Sequence, residues 1–314
     1  MTNRVLLTGA SGFIGRTVIE PLYRAGFEVH ALARRPLDIR QTNLTWHAID
    51  LLDHEPMKRL MRRIAPSHLL HFAWYAAPGK YWAARENLHW LGASLALLQA
   101  FAESGGARVV MAGSCAEYGT TGDVCYENST PLIPHTLYGT CKHATQTVLT
   151  AYSGQFGLSS AWGRVFVPYG PHEHPARLVS SVVCALLEGR SALCTSGEQV
   201  RDFIHIDDVA NAFVVLLSSR VEGAVNIASG RGVPVKEVAM QIGDLLGRRD
   251  LVKLGVRPHV QNEPSFLVAD LRRLTDEVGW RPTISLEKGL ATTIDWWRKQ
   301  TMRKPSASDG VARQ

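Results

Sequence analysis

Tyr138 and Lys142 stand four residues apart in the run "LYGTCKHATQTVLTAYSGQFG", residues 137–157. On a helix that spacing puts both side chains on one face. An ammonium near a phenol favours the phenolate and lowers its pKa from about 10 toward neutrality. A tyrosine tuned in this way can exchange a proton with a carbonyl or hydroxyl held beside it. Ser114 closes the apolar run "RVVMAGS", and its hydroxyl can bond the same reacting oxygen. Taken alone, such a Tyr/Lys pair occurs in many helices by chance, and a lone serine commonly caps a turn.

The pair gains meaning from "TGASGFIG", residues 8–15, which follows an apolar strand and opens a helix. In that context Gly9 permits the turn, Gly12 lets a pyrophosphate approach the backbone, and Gly15 lets helix and strand pack closely. Ser11, Phe13 and Ile14 complete the loop, and the helix N-terminus offers N–H groups and partial positive charge to phosphates. The ligand of such a loop is a dinucleotide. An acid at the end of the next strand would accept hydrogen bonds from ribose hydroxyls and repel a 2′-phosphate. Here the strand ends at Ala33, and Arg34 and Arg35 follow, about 20 residues past Gly15. A guanidinium pairs with a 2′-phosphate, often through two bonds. The two arginines therefore favour NADP(H), with NAD as the alternative if they are merely solvated surface side chains. Asp38 lies past Pro36 and is a poorer partner for the ribose.

These residues need a scaffold that brings strand ends together. Strand-like runs (4–9, 27–34, 44–50, 68–74, 108–114, 159–167) alternate with helical ones (13–26, 55–65, 84–105, 137–157) over the first half. Strands apolar nearly throughout and separated by helices predict a parallel sheet covered on both faces. Pro21 should kink or locally open the first helix. Beyond residue 170 the pattern loosens, with helices at 205–219, 233–247 and 285–300 and a strand at 223–229. The predicted fold class is α/β, a Rossmann-type doubly wound parallel sheet with a smaller mixed α/β C-terminal substrate domain. Residues 1–170 form the dinucleotide-binding domain, with a return segment near 203–229. Residues 171–202 and 230–300 form the substrate domain, and 301–314 read as a disordered tail.

The chain has 314 residues, a net charge of +6 and five cysteines. Lys and Arg are scattered, without the basic stripe and interleaved aromatics of a nucleic-acid binder, so no nucleic-acid partner is expected. No cysteine pair or Cys/His cluster has metal-binding spacing, and an odd number of thiols fits a reducing cytoplasm. The chain opens directly into a strand, so no signal peptide is expected. "LVSSVVCALL" is too short to span a bilayer.

The ordered set "TGASGFIG", "AIDLLD", "HFAW", "ENLHWLGASLALLQA", "GSCAEYG", "YGTCK", "YGP", "RDFIHIDDVANA", "VNIASG" and "VGWRP" resembles the extended short-chain dehydrogenase/reductases of the nucleotide-sugar epimerase/dehydratase group. The likeness implies a catalytic Ser114, Tyr138 and Lys142, the lysine also binding the nicotinamide ribose. It places Asp50 and Leu51 at the adenine. Phe72, Ala73 and Trp74 lie against the cofactor, Val165 belongs with the cofactor-binding residues, and Asn87 steadies the site. Arg201 grips the substrate's diphosphate, with Arg177 as a second anchor; the plainer role for Arg201 is an ion pair with Asp202 or Asp207. His205 and Asp207 hold the shape of their segment. A homodimer through the two long helices is implied as well.

Departures narrow the chemistry. Dehydratases of the group carry an Asp-Glu pair after the Ser or Thr, where this chain has Cys115 and Ala116, so elimination of water lacks its acid and base. Fucose-synthase-like members place a cysteine two positions after the serine, whereas Cys115 is one after. Val167 and Pro168 stand where an asparagine often precedes "YGP". Glu117 either faces the substrate or is a buried structural acid. The resulting expectation is an NADPH-dependent reductase of a nucleotide-linked 4-keto-6-deoxy sugar. The alternatives are a C4 epimerase with tightly held NAD and a reductase of a non-nucleotide ketone. Tyr81 and Trp82 either line the substrate pocket or pack against the protein.

Overall fold

The computed structural model describes residues 3–119, 122–258 and 263–303. In chain order the main elements are β1 (Arg4–Thr8), α1 (Phe13–Arg24), β2 (Glu28–Ala33), β3 (Leu44–Ala48), α2 (His54–Ile64), β4 (His68–His71), α3 (Glu86–Glu103), β5 (Arg108–Ser114), α4 (Leu137–Phe156) and β6 (Ser159–Val165). There follow β7 (Val167–Tyr169), α5 (Leu178–Leu187), β8 (Ala192–Leu193), β9 (Val200–His205), α6 (Ile206–Ser218), β10 (Gly223–Ile227), β11 (Gly232–Pro234), α7 (Val235–Leu246), β12 (Val252–Lys253), β13 (Phe266–Leu267) and α8 (Leu286–Arg303).

Seven strands form one sheet in the order β10-β6-β5-β4-β1-β2-β3, with every pairing parallel. Alternate residues along its strands feed two cores. Val5, Leu7, Val29, Ala31 and Val110 join α1 and α6 on one face. Leu6, Leu32, Leu69, Val109 and Met111 join α2, α3 and α4 on the other. That two-sided burial explains why the strands read as continuous apolar runs. From β1 the chain winds outward to β2 and β3, then returns to β4 on β1's other side. The direction of winding therefore reverses at β1/β4, where such sheets open a crevice at their carboxyl ends.

The strand expected over 159–167 divides at Phe166. β6 stays in the large sheet, while β7 pairs with β9 in a second sheet that also holds β11 and β13. Against this sheet α5, α7 and α8 build a third core around Val183, Val238, Ile242 and Leu290. β9 did not read as a strand because Arg201 and Asp202 interrupt it. Asp202 is nevertheless fully buried, and its carboxylate accepts from the Ser229 N–H and hydroxyl and from the Gly230 and Ala269 N–H groups. α1 runs through Pro21 without interruption, which corrects the expected local opening. The proline sits in the last turn and removes one backbone bond. α8 continues to Arg303; the remainder of the expected tail, 304–314, lies outside the described residues.

Candidate active site

The glycine loop leaves β1 and enters α1. Gly9 adopts φ +67°, and a Cβ there would meet the Ala73 nitrogen at 2.7 Å. A Cβ on Gly15 would lie 2.2 Å from the Gly9 carbonyl oxygen. The first contact seats the loop against the end of β4 and the second locks α1 onto it. Gly12 is the exposed N-cap of α1 and has no side-chain cap. A Cβ on it would meet only the Gly9 oxygen, at 3.1 Å, and would otherwise project into open space. A cradle that side chains do not fill, at an uncapped helix N-terminus, fits a dinucleotide's phosphates.

Thr8 and His71 brace this loop from beneath. The Thr8 hydroxyl lies 2.6 Å from His71 Nδ1, and His71 Nε2 lies 2.9 Å from the Ser94 hydroxyl. Ser94 donates its proton to the Trp90 carbonyl, so His71 donates from Nε2 and accepts from Thr8 at Nδ1. Burial lowers the His71 pKa to about 3, with the Lys142 charge acting in the same direction. The imidazole is thus neutral.

Arg34 and Arg35 lie exposed just past β2, which pairs with β1 through Leu32 and Thr8. Neither guanidinium has an ion-pair or hydrogen-bond partner among the described residues, whereas Asp38 pairs with Arg40 at 3.2 Å. Past β3, the Asp50 carboxylate accepts from the Leu52 N–H, and Leu51 is buried in the core. Ser11, Phe13 and Ile14 are half-buried around the loop. Phe72 stacks edge-on against Phe213, and Val165 is buried beside Ser114 in the register of β5 and β6.

Ser114, Tyr138 and Lys142 converge from β5 and α4. Thr136 caps α4 by accepting from the Gly139 N–H, which fixes the turn that carries Tyr138. Burial raises the Tyr138 pKa well above the usual phenol value, the nearby Tyr81 adds to this, and a hydrogen bond with the Ser114 side chain opposes it. The Lys142 ammonium donates to the Ala112 carbonyl at 2.9 Å and sits 3.9 Å from the centre of the Trp74 ring. Its own pKa falls to about 7 through burial, although the Glu117 charge raises it. The expected lowering of the Tyr138 pKa by Lys142 therefore does not appear. Desolvation acts on both groups and favours their neutral forms, so the Tyr138 phenol is held protonated.

Glu117 is a structural acid. It is fully buried, its Oε1 accepts from the Ser114 backbone N–H at 2.7 Å, and both oxygens accept from Trp162 Nε1 at 3.0 Å. Arg164, also buried, donates from Nε to Oε2 at 2.8 Å. The serine's backbone is thereby clamped from within the sheet. Cys115, in the place of a dehydratase acid, is a thiol whose pKa burial pushes up to about 12.

A ring of aromatics walls Tyr138. Tyr81 lies 4.8 Å away and Trp82 5.7 Å away, both edge-on, with Trp74 at 6.4 Å. Asn87 holds this wall: its side-chain amide donates to the Tyr81 and Ala84 carbonyls and accepts from Trp74 Nε1. Arg177, the N-cap of α5, lies 5.3 Å over the Tyr81 ring and hydrogen-bonds its hydroxyl. Arg201 is buried on β9 and pairs with Glu263 at 2.8 Å, rather than with Asp202 or Asp207. Its charge reaches Cys115. His205 caps α6 and faces Asp207.

The sheet, the glycine loop at its crevice and the Ser/Tyr/Lys cluster beside it define an extended short-chain dehydrogenase/reductase. Residues 5–228 match the model of the NAD dependent epimerase/dehydratase family, and the chain belongs to that family. The UDP-glucose 4-epimerase of Streptomyces lividans is 27% identical over 329 residues, which cover 95% of this chain and 96% of that protein. UDP-glucuronic acid decarboxylase 1 of Xenopus tropicalis is 26% identical over 309 residues, 95% of this chain and 72% of the relative. Among solved structures, MoeE5 in complex with UDP-glucuronic acid and NAD is 31% identical, with a TM-score of 0.83 and coverage of 95% of this chain and 99% of that one.

Proposed function

We propose that the protein is an NADPH-dependent reductase of a nucleotide-linked 4-keto-6-deoxy sugar. The observation that carries this reading is the pair of exposed guanidinium groups of Arg34 and Arg35 at the carboxyl end of β2, with no partner among the described residues. Positive charge at that point suits a 2′-phosphate. A coenzyme of that kind is exchanged at each turnover in a net reduction, whereas an epimerase regenerates a coenzyme that it keeps.

Bound NADPH supplies the hydride for the keto carbon. Tyr138, kept protonated by burial, gives its proton to the keto oxygen, and Ser114 orients that oxygen through its hydroxyl. Lys142, anchored on the Ala112 carbonyl, lies within the same cluster to hold the nicotinamide ribose. Ser11 to Gly15 hold the pyrophosphate, Asp50 and Leu51 flank the adenine, and Phe72, Ala73, Trp74 and Val165 line the cofactor's path. Arg177 and Arg201 anchor the substrate's diphosphate, which exchanges with Glu263 for the Arg201 guanidinium. Cys115 and Ala116 leave no carboxylate after Ser114 for dehydration.

A second reading, a C4 epimerase with tightly held NAD, is favoured by the epimerase among the relatives. Absorbance at 340 nm separates the two with UDP- or dTDP-linked 4-keto-6-deoxyhexoses: net loss of NADPH supports reduction, and a flat trace rejects it. Replacing both Arg34 and Arg35 by Ala should lower kcat/KM for NADPH about 10- to 100-fold, the loss expected from one or two charge-assisted hydrogen bonds. The value for NADH should stay within about threefold. Equal losses with both coenzymes would reject the arginines' role. We also place the enzyme in the cytoplasm as a homodimer through α3 and α4, where Leu88, Val148 and Phe156 are exposed; sedimentation at micromolar concentration tests the dimer.

A further inference from the structure

Tyr81 and Trp82 are neighbours in sequence with opposite fates. Tyr81 is 5% exposed, its ring lies against Tyr138, and its hydroxyl is engaged by Arg177. Trp82 is 43% exposed, with its ring centre 5.7 Å from that of Tyr138 and 4.3 Å from that of Tyr81. Its indole N–H makes no hydrogen bond to the described residues. The turn that carries it is pinned twice by Asn87, so the ring is held in place rather than loosely exposed. A large aromatic surface fixed beside the proton donor and left open to solvent is a surface prepared for a ligand.

We infer that Trp82 is the platform that selects the sugar's C6 group, stacking against the C5–C6 edge and favouring a methyl over a hydroxymethyl or a carboxylate. The inference rests on the proposed reading of the substrate as a nucleotide sugar, and it assigns the C6 preference to one residue. A C–H edge gains dispersion and polarisation against an indole face without losing hydrogen bonds. A C6 hydroxyl in the same place surrenders its water with no partner from the ring. A C6 carboxylate needs a cation, and those near the wall are committed. Arg177 and Arg201 are taken by the substrate's diphosphate in the proposed reading, and Lys142 is held by the Ala112 carbonyl.

Calorimetric titration of the NADP⁺-saturated protein with UDP-6-deoxyglucose, UDP-glucose and UDP-glucuronic acid, and with the dTDP-linked pair of 6-deoxyglucose and glucose, tests this. The unaltered protein should bind the 6-deoxy ligand about tenfold more tightly than its hydroxymethyl counterpart, a ratio typical of one small group in an apolar site. Trp82→Ala should reduce that ratio to within about twofold, and Trp82→Phe should keep most of it, because both aromatic rings present a π face. NADP⁺ affinity, unchanged in both variants, shows that the fold is intact. A ratio that survives Trp82→Ala, or an unaltered protein without any preference, overturns the platform. Preferential binding of the 6-deoxy ligand without NADPH oxidation by the 4-keto sugar would instead overturn the reductase and leave the platform standing. Failure of every nucleotide sugar to bind would overturn both.

Discussion

Glu117 offers a test of how the sheet holds the catalytic serine. Its carboxylate receives the Ser114 N–H, Trp162 Nε1 and Arg164 Nε, and neither member of the ion pair is more than 1% exposed at its side chain. Replacing Glu117 by Ala would strand the Arg164 charge and leave two N–H donors without an acceptor. Breaking a buried ion pair from one side costs about 3–5 kcal/mol, most of it from the uncompensated charge. Against a total stability of about 5–15 kcal/mol, that loss is large enough to shift a urea midpoint clearly. Glu117→Gln should cost nearly as much, since its NH₂ meets donors at the position of one oxygen. The double change Glu117→Gln with Arg164→Met should recover at least about 2 kcal/mol over Glu117→Gln alone, because the stranded charge is gone. The assay is urea unfolding at pH 7.5 with the slope held constant. A single-variant cost below about 1 kcal/mol, or losses in the double variant that merely add, would refute the clamp. A catalytic readout distinguishes the clamp from an acid that works on substrate. Releasing the Ser114 backbone should lower kcat and keep both limbs of the pH profile, with any limb set by Lys142 moved to lower pH because the Glu117 charge that raised its pKa is gone, whereas removing a working acid would delete one limb.

Other outcomes follow from the same geometry. Tyr138→Phe should lower kcat by about 10²–10⁴-fold with little change in NADPH affinity, and retention of more than a tenth of the rate would remove Tyr138 as proton donor. Gly15→Ala should abolish measurable NADPH binding by fluorescence and destabilise the fold by about 1–3 kcal/mol, because the added methyl meets the Gly9 carbonyl. His71 stays neutral in the fold with a pKa near 3, while the unfolded chain's histidine protonates near 6.5. Its stabilising contribution is complete above pH 6.5 and declines as pH falls toward 3, by about 2 kcal/mol at pH 5. His47, lowered to about 4 by burial with help from His30, acts in the same direction. Urea midpoints should therefore drop between pH 7 and 5, and His71→Gln should flatten that slope; an unchanged slope would discount His71.

The glycine loop was legible in the sequence because its constraints are local. Gly15 is required by the Gly9 carbonyl within the motif and Gly9 by its own positive φ, while the further contact of Gly9 with Ala73 comes from the end of β4 and lies outside the motif. Tyr138 and Lys142 were legible because a helical period of four fixes their common face whatever surrounds it. What Lys142 does with its ammonium was not legible, since that depends on Ala112, Trp74 and the depth of burial. The same holds for Glu117 and Arg164. They are 47 residues apart, the sequence left Glu117 open between a substrate-facing and a buried structural acid, and only the pairing of β5 with β6 brings Arg164 to it. β9 was hidden for the same reason, because Asp202 is satisfied by donors from two later loops that no window around it contains. Asp202 breaks the apolar rhythm by which strands are recognised, whereas β6 read as a strand despite Arg164, and Glu117 lies in the turn just past β5. Buried charge sets Ser114 from behind, and exposed aromatic surface sets Tyr138 from in front. Specificity can therefore change at Trp82 without disturbing the clamp at Glu117, provided that Asn87 continues to hold the turn that carries Trp82.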